Sequence, residues 1–348
     1  MTQQIIRVLV VDDSAFLRKV VSQMLTRSPF IEVVGTARDG EEALEAVAQH
    51  RPDVVTLDLV MPRMDGVAFL QEQMRRRPVP VVVCSIAHES GELALGALEA
   101  GAVDFVQKPT ALATERVFEM ADELIEKVKA AATVRFPLAE ARRAETGADA
   151  ASSPSAAARH AQIVVLGVST GGPQALRHLV PQLPGDFPVP LAMVLHMPVG
   201  YTEMYAKRLN DLCALEVSEA REGDVLRPGV ALLAPAGRHL SFVRDGDGTV
   251  RAHLDLRPLD TQHRPAVDVL FQSAAEVYGG CVLGVVMTGM GQDGLLGAAH
   301  VKAQGGHVVT EAESSCVVYG MPRAVDEASL SDRSVPLEQM AAAIREMV

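Results

Sequence analysis

The sequence predicts an α/β protein built from two doubly wound, mostly parallel sheets, and three observations support this. Short runs of β-branched residues alternate with segments of helical periodicity, which is typical of parallel sheets covered on both faces. This alternation occurs twice, on either side of a stretch rich in Ala, Ser and charged residues. The length of 348 residues also suits two domains of about 150 residues each.

The first domain, assigned to residues 1–132, has five predicted strands and five predicted helices. Each strand is a short apolar run, and each helix carries apolar residues at a helical period. The strands are predicted at 8–11, 31–36, 54–58, 81–85 and 104–107, and the helices at 15–25, 40–49, 66–75, 92–100 and 114–132. Residues 133–161 show no apolar periodicity, so we interpret them as a flexible linker.

The second domain, assigned to residues 162–348, repeats the α/β pattern with one addition. The segment Asp245-Gly246-Asp247-Gly248 has residue types that favour a tight turn, and it lies between two segments in which apolar and polar residues alternate. This pattern predicts a β-hairpin over 240–254. The remaining strands are predicted at 163–167, 191–196, 230–235, 282–288 and 307–310. We therefore expect a five-stranded parallel domain, a linker, and a mostly parallel domain with a β-hairpin.

Composition and charge exclude several classes of function. The chain has 32 Lys and Arg against 44 Asp and Glu, and a net charge of -12 argues against a nucleic-acid or anionic-membrane partner. The four cysteines form no C-x-x-C pair, so we expect buried thiols rather than a zinc or redox site. The N-terminus lacks the pattern of a secretory signal, and no apolar stretch is long enough to span a membrane. We expect a cytoplasmic protein.

Acidic and basic side chains stand at the carboxyl ends of the first domain's strands. Asp12 and Asp13 follow the first strand, Asp58 the third, Ser85 the fourth and Lys108 the fifth. These strand ends converge on one crevice in a doubly wound sheet. A single acid there is usually a solvated loop residue or a helix cap, but three together require a hard cation such as Mg²⁺. A carboxylate between that ion and Lys108 is placed to attack a phosphoryl group.

The segments VLVVDDS, TLDLVMPRMDG and FVQKP resemble the receiver domain of two-component response regulators. The resemblance covers nearly all of residues 5–130. It implies that Asp58 accepts the phosphoryl group, and that Asp12, Asp13 and the Val60 carbonyl help to hold Mg²⁺.

The same resemblance implies a switch that responds to phosphorylation. Ser85 would be the switch hydroxyl, Phe105 the aromatic residue that rotates with it, and Lys108 the fixed cation. Cys84 is the alternative at the switch position. We favour Ser85 because a hydroxyl can hydrogen-bond a phosphoryl oxygen.

A serine in the second domain lies on a glycine-rich turn between a strand and a helix. Ser169 belongs to GVSTGGP, which follows IVVL and precedes the helical pattern QALRHLV. Such a turn exposes the hydroxyl at the carboxyl edge of the sheet, next to the N–H groups that begin the helix. Glycine-rich turns also bind phosphates, but this one lacks both the G-x-G-x-x-G spacing and the P-loop ending.

A nucleophilic serine needs a base and an orienting acid, and both residue types occur at neighbouring strand ends. His196 ends LAMVLH, and Asp293 lies in TGMGQDG just after VLGVVMT. Alone, His196 could be a core or helix-capping residue. We expect the other histidines near loops, His263 among them, to be solvated or locally hydrogen-bonded. The order Ser, His, Asp differs from the Ser, acid, His order of α/β-hydrolases.

The phrases GVSTGGPQAL, HMPVGYT, HRPAVDVLF, VVMTGMGQDG and SCVVYGMPRA resemble the catalytic domain of chemotaxis protein-glutamate methylesterases, from about residue 163 to the C-terminus. One departure is Ala266, where relatives often carry a hydroxyl residue. The resemblance places the catalytic Ser, His and Asp at Ser169, His196 and Asp293.

The resemblance also implies an oxyanion hole formed by backbone N–H groups near Thr170 and Met290. Four methionines of the second domain could form a polarisable face for a substrate. Methionines in strands are more often core residues, however, so we expect a core role for these. They are Met193, Met197, Met287 and Met290.

The resemblance implies hydrolysis of glutamate γ-methyl esters on chemoreceptors, and deamidation of selected receptor glutamines, by Ser-His-Asp acyl transfer. The hydrolysis needs no cofactor, and Mg²⁺ serves the receiver alone. The implied partners are methyl-accepting chemoreceptor helices as substrate and a chemotaxis histidine kinase as phosphodonor, with no nucleic acid and no membrane insertion. We expect the receiver to cover the Ser169 site until phosphorylation of Asp58 shifts the population.

Two other functions stay open from the sequence alone. The second domain could bind receptors without turnover under the control of phosphorylation, or it could bind a nucleotide through GVSTGG. The Ser-His-Asp set disfavours the first, and the missing phosphate motifs disfavour the second.

Overall fold

The computed structural model describes residues 5–86, 91–108, 116–134 and 160–348. Most of the predicted linker, at 135–159, lies outside the described residues, as does the start of the helix predicted at 114–132. Within the described ranges, no helix has the length and apolar character that a membrane crossing would require.

The first unit contains five strands and five helices, as predicted, and all its strands are parallel. The sheet order is β2-β1-β3-β4-β5, which brings the ends of β1, β3, β4 and β5 to one edge. The elements are β1 (Ile6–Val11), α1 (Ala15–Leu25), β2 (Ile31–Ala37), α2 (Gly40–His50), β3 (Val54–Leu57), α3 (Gly66–Arg76), β4 (Val81–Ile86), α4 (Gly91–Glu99), β5 (Asp104–Lys108) and α5 (Arg116–Ala131).

The first three helices begin where the sequence predicts because each start carries a side-chain cap. Ser14, Asp39 and Asp65 precede α1, α2 and α3, and each side chain accepts a hydrogen bond from a backbone N–H in the first turn. Behind these caps, apolar residues at a helical period pack onto the sheet. The observed bounds of these helices therefore lie within one residue of the predicted ones.

The second unit is built on a seven-stranded sheet in which every pair of neighbours is parallel, in the order β14-β13-β12-β6-β7-β9-β8. The predicted hairpin forms a separate antiparallel pair, β10 with β11. The strands are β6 (Ile163–Val168), β7 (Leu191–Leu195), β8 (Glu216–Glu219), β9 (Val230–Leu233), β10 (His239–Arg244), β11 (Val250–Asp255), β12 (Val282–Val286), β13 (His307–Glu311) and β14 (Arg333–Val335).

Six helices cover this sheet. They are α6 (Gly172–Leu179), α7 (Thr202–Asn210), α8 (Val267–Tyr278), α9 (Leu295–Ala303), α10 (Met321–Glu327) and α11 (Leu337–Met347). The sequence did not predict β8 and β14, because these edge strands have only four and three residues and show too little alternation. The fold class itself is confirmed.

The close packing of α3 beneath the end of β3 yields a prediction about stability. A Cβ on Gly66 would lie 2.3 Å from the carbonyl oxygen of Asp58 and 2.7 Å from the Cα of Leu59. Relief of that overlap requires backbone movement, so we predict that Gly66→Ala destabilises the first unit by about 1–3 kcal/mol. Urea unfolding of the full chain, followed by circular dichroism, measures this change.

The matched control is Gly96→Ala within α4, where a Cβ meets no described atom within 4 Å. Replacing a helix-interior glycine by alanine stabilises a helix by up to about 1 kcal/mol. The two variants should therefore shift the unfolding midpoint in opposite directions. Indistinguishable midpoints would contradict the packing described here.

Candidate active site

Ser169 and His196 lie next to each other because β6 and β7 are adjacent parallel strands. Val168 and Leu195 are register partners, and each is the last residue of its strand. The His196 N–H donates a hydrogen bond to the Val168 carbonyl at 3.2 Å. The serine and the histidine therefore emerge at the same edge of the sheet, as the strand-end argument predicts.

The turn that carries Ser169 is held on two sides. Its N–H donates to the Thr288 carbonyl at 3.0 Å, beyond the end of β12, and its carbonyl accepts from the Gly172 N–H at 2.7 Å. Gly171 has a φ of 78°, and Gly289 packs so closely that a Cβ there would lie 2.8 Å from the Ser169 Cβ. The glycines thus allow a left-handed turn and a close approach of the neighbouring loop.

The histidine and the aspartate form a direct pair. His196 Nε2 lies 2.8 Å from Asp293 Oδ2, and both side chains are about nine-tenths buried. Asp293 also accepts hydrogen bonds from the N–H groups of Val267 and Asp268, at 2.8 and 2.9 Å. Burial raises the pKa of Asp293, but the bond to His196 and the two N–H bonds outweigh it, so the pKa lies below its ordinary value. The carboxylate is therefore ionised at neutral pH.

This pairing decides which nitrogen of His196 can act as a base. An ionised carboxylate only accepts hydrogen bonds, so the proton of the neutral imidazole sits on Nε2. Nδ1 is buried and has no hydrogen-bond partner among the described residues. Its lone pair is the one available to take a proton from Ser169.

The structure does not join the whole triad by hydrogen bonds. Among the described residues, Ser169 Oγ has no hydrogen-bond partner, so no bond links it to His196. The N–H groups of Thr170 and Met290 likewise have no acceptor in the described part of the chain. Catalytic hydrogen bonds often tighten only when substrate binds. The oxyanion role of these two N–H groups stays a prediction.

His263 is closer to the site than we expected. Its ring stacks on His196 with centroids 4.1 Å apart and planes 22° apart, and it is half-buried. Burial, followed by the charge of His196, lowers the pKa of His263 to about 4. The expectation of a solvated or locally hydrogen-bonded histidine is therefore wrong. The cause is long-range. The first N–H groups of α8 are hydrogen-bonded to Asp293, which pairs with His196, so the chain that leads into α8 passes beside His196.

Thr288 is a structural residue of the site that the sequence reasoning missed. Its hydroxyl donates to the Thr170 carbonyl at 2.9 Å, and its N–H donates to Glu311 at 2.9 Å. Glu311 is fully buried, and burial raises the pKa of this acid. The position of Thr288, two residues after the end of β12, was the available signal, because β12 is next to β6, the strand that precedes Ser169.

The predicted acidic cluster forms in the first unit. Asp12, Asp13 and Asp58 each offer a carboxylate oxygen, and these oxygens lie within 4.8 Å of one another. Lys108 Nζ lies 2.6 Å from Asp12 and 2.9 Å from Asp58. Burial opposes the charge on Lys108, but the two carboxylates raise its pKa overall. Three carboxylates and one ammonium leave a charge of -2, which suits a divalent cation.

The predicted switch residues occupy buried positions near this cluster. Ser85 is buried at the end of β4, whereas Cys84 lies in an apolar cluster and burial raises its pKa to about 12. Phe105 is buried, and its ring centroid lies 4.8 Å from that of Tyr201 in the second unit. The Val60 side chain is exposed. The metal role of its carbonyl stays a prediction.

The methionines near the triad belong largely to the core. Met193 and Met287 are fully buried, and Met197 is nearly so. Met290 alone among the four is half-buried. The expected core role is thus confirmed for three of them.

Two family models match this chain. The model described as CheB methylesterase matches residues 164–344, and the model described as response regulator receiver domain matches residues 8–120. Together they cover both units on either side of the predicted linker.

Relatives match over almost the full length. The chain is 56% identical over 346 residues to "Protein-glutamate methylesterase/protein-glutamine glutaminase 5" of Myxococcus xanthus, covering 99% of this chain and 98% of that protein. A Geobacillus kaustophilus relative with the same activity name is 46% identical over 345 residues, covering 99% of each. The crystal structure of the Thermotoga maritima CheB methylesterase catalytic domain is 40% identical, with a TM-score of 0.53. It covers 54% of this chain and 99% of that one.

The low pKa of His263 makes the stability of the protein depend on pH. In the unfolded chain this histidine takes up a proton near its ordinary pKa of 6.5, whereas the folded protein takes it up at about 4. The unfolded state therefore binds more protons between these values, and stability falls as the pH decreases through this window. We predict that His263→Phe, which cannot titrate, loses less stability than the wild type between pH 7.5 and pH 5.

Urea unfolding at the two pH values measures this difference. His300→Phe is the matched control, since His300 is exposed on α9. The control should follow the wild type. A His263→Phe variant with the wild-type pH dependence would show that burial of this ring does not govern its titration.

Proposed function

Because the chain belongs to the CheB methylesterase family and carries a receiver domain, we propose that it hydrolyses glutamate γ-methyl esters of chemoreceptors and deamidates selected receptor glutamines. The observation that carries this proposal is the buried His196–Asp293 pair at the strand end next to Ser169. The proposal divides the chain into a receiver domain (1–132), a linker (133–161) and a catalytic domain (162–348).

The proposed reaction is acyl transfer to water. Ser169 Oγ attacks the ester carbonyl of the substrate side chain while His196 Nδ1 takes the hydroxyl proton. The N–H groups of Thr170 and Met290 would stabilise the negative oxygen of the tetrahedral intermediate. His196 then returns the proton to the leaving methoxide, so methanol departs. Water attacks the acyl-enzyme by the same route and releases glutamate and free Ser169.

The same residues can deamidate glutamine, with ammonia in place of methanol as the leaving group. Asp293 has one role in both reactions. It holds the Nε2–H tautomer and stabilises the imidazolium that forms when Nδ1 is protonated. Its three N–H partners keep it ionised for this purpose.

The receiver residues fit Mg²⁺-dependent phosphorylation of Asp58. Asp12, Asp13 and Asp58 would hold the ion, which supplies positive charge for phosphoryl transfer. Lys108 Nζ lies 2.9 Å from Asp58 and would neutralise a transferred oxygen. We propose a chemotaxis histidine kinase as the phosphodonor and methyl-accepting chemoreceptor helices as the substrate.

Contacts between the two units support control of Ser169 by the receiver. Thr170, the residue after the nucleophile, donates its hydroxyl proton to Asp104 at 2.6 Å. Asp104 directly precedes Phe105, which packs on Tyr201. Val317 packs against the apolar cluster of the receiver, and it lies over Gly171. The receiver thus contacts the turn on which the serine lies.

Further polar contacts join the two units. Gln174 of α6 donates to the carbonyls of Leu98 and Ala102, each at 3.0 Å. Arg208 of α7 pairs with Glu92 and Glu99 of α4. We propose that these contacts hold the receiver over the site, and that phosphorylation of Asp58 favours a state in which they are broken.

The nucleophile is tested by Ser169→Ala. We predict a loss of methanol release of at least about 10³-fold from methylated chemoreceptor membranes, because the covalent step is removed. Ser334→Ala, on an exposed position of the edge strand, is the matched control and should keep the wild-type rate. Methanol release at the wild-type rate by Ser169→Ala would refute the assignment. Receptor binding without turnover by the wild type would favour an interaction module.

The control by the receiver is tested by Arg208→Glu, which places like charges opposite Glu92 and Glu99. Losing these half-exposed ion pairs and adding the repulsion weakens the contact between the two units by about 1 kcal/mol. The population of the uncovered state then rises, so we predict a rise of about five-fold in activity without a phosphodonor. Arg333→Glu reverses a comparable pair with Glu346 at the far edge of the sheet and should leave this activity unchanged.

Asp58→Asn completes the experiment, because it removes the phosphoryl acceptor. We expect it to keep the basal rate and to show no response to a small-molecule phosphodonor with Mg²⁺. An Arg208→Glu variant with the wild-type basal rate and the wild-type phosphodonor response would contradict the proposed covering of the site.

A further inference from the structure

Two carboxylates cap each other's helices beside the His196–Asp293 pair. Asp293 precedes α9 and accepts hydrogen bonds from the N–H groups of Val267 and Asp268 at the start of α8. Asp268, in the first turn of α8, accepts from the N–H groups of Gly294 and Gly297 at the start of α9, at 2.9 and 2.7 Å. The arrangement is reciprocal, and only one of its two acids belongs to the triad.

Among the residues that the structure describes, no other side chain performs this capping. The residues at the two N-cap positions are Ala266 and Gly294, and neither side chain accepts a hydrogen bond. The N-terminal N–H groups of both helices therefore depend on the two aspartates. The two helix starts also bring partial positive charges together, which a carboxylate at each start offsets.

The two helices approach each other too closely here for a side chain at Gly294 or Gly297. A Cβ on Gly297 would lie 2.6 Å from the Phe271 Cβ and 3.0 Å from the Asp268 Cα. Gly294 has a φ of 99°, and a Cβ there would lie 3.1 Å from a methyl carbon of Val267. The position of the loop carrying Asp293 is thus determined by contacts with the first turn of α8.

We propose that Asp268 is a positioning residue for the reaction, and that its Oδ1, by accepting both N–H groups of α9, fixes the loop that aims Asp293 at His196. The proposal rests on the catalytic roles of Ser169, His196 and Asp293 proposed above. Asp268 does not contact the histidine in this role. Its effect is transmitted through the backbone on either side of Asp293.

The role depends on the acceptor oxygen rather than on the charge, and two substitutions separate these properties. Asp268→Asn keeps an oxygen at the same distance from the backbone and removes the charge. Asp268→Glu keeps the charge but displaces the oxygens by one methylene group. If Asp268 positions the loop, Asp268→Asn must keep a higher kcat than Asp268→Glu. If Asp268 acts on His196 only through its charge, Asp268→Glu must keep the higher kcat.

The experiment measures kcat and KM for methanol release from methylated chemoreceptor membranes with full-length variants. We expect Asp268→Asn to keep kcat within about three-fold of the wild type. Asp268→Glu and Asp268→Ala should lose about 10- to 100-fold, because a displacement of about 1 Å at a reacting group can cost 10²-fold. The KM should stay within about two-fold, since no substrate contact is removed.

A second measurement is independent of activity. A proton on His196 Nε2 that is hydrogen-bonded to a buried carboxylate gives a downfield ¹H resonance in NMR spectra, assigned by its loss in Asp293→Ala. We expect this resonance in the wild type and in Asp268→Asn, and its loss in Asp268→Glu and Asp268→Ala. If Asp268→Ala folds poorly, the resonance in Asp268→Asn and Asp268→Glu still tests the proposal.

Asp332→Ala is the matched control within the same domain. Asp332 accepts a hydrogen bond from the Val308 N–H at 2.8 Å, so its removal also leaves a backbone donor unpaired. The control should lose stability but keep kcat and the downfield resonance. A general effect of instability would reduce kcat in this variant too.

Two outcomes would overturn the proposal. One is a wild-type kcat and resonance in both Asp268→Glu and Asp268→Ala, and the other is a greater loss in Asp268→Asn than in Asp268→Glu. Ser169→Ala, measured in parallel, separates this failure from that of the proposed function. If Ser169→Ala is inactive, either of these outcomes rules out the role of Asp268 alone. If Ser169→Ala is active, the proposed catalytic role of Ser169, on which this proposal rests, is itself wrong.

Discussion

The site depends on one buried carboxylate, that of Asp293. Burial of an ionised acid is costly unless donors surround it, and here His196 Nε2–H and two backbone N–H groups supply them. Three consequences follow from this one arrangement. The acid stays charged, the imidazole is held as the Nε2–H tautomer, and the start of α8 is fixed to the loop after β12. The order of strands in the sheet then brings Ser169 and His196 to the same sheet edge, at the ends of adjacent strands.

The turn bearing Ser169 is restrained from two directions, and the difference between them suits the proposed regulation. On one side Thr288 donates to the Thr170 carbonyl, and it is itself held by the buried Glu311. On the other side the Thr170 hydroxyl donates to Asp104 of the receiver. The first restraint lies within the catalytic sheet and persists when the two units separate. The second exists only while they are in contact, so it can report the state of the receiver to the residue after Ser169.

The sequence alone predicts the positions of residues that stand at the ends of strands. Ser169, His196 and Lys108 follow apolar runs whose identity as parallel strands is a local property, and topology then brings them together. His263 and Asp268 could not be placed in this way, because their positions depend on how α8 packs against α9 and β6. That packing is set by glycines and by reciprocal hydrogen bonds between residues about 25 positions apart. The strands β8 and β14 were missed for a local reason, since each is too short to show a period.

The polar contacts between the receiver and the second unit are individually weak. Exposed ion pairs such as those of Arg208 contribute about 0.2–1 kcal/mol each, and a buried hydrogen bond to a charged group contributes about 1.5–3 kcal/mol. Their sum is a few kcal/mol, before the cost of ordering the side chains. Moving a two-state equilibrium from 1:99 to 99:1 takes about 5.5 kcal/mol. Apolar contacts between the units, such as that of Phe105 with Tyr201, add to this sum. The proposed response to phosphorylation therefore requires that a phosphoryl group on Asp58 changes the free energy of the interface by an amount of this order.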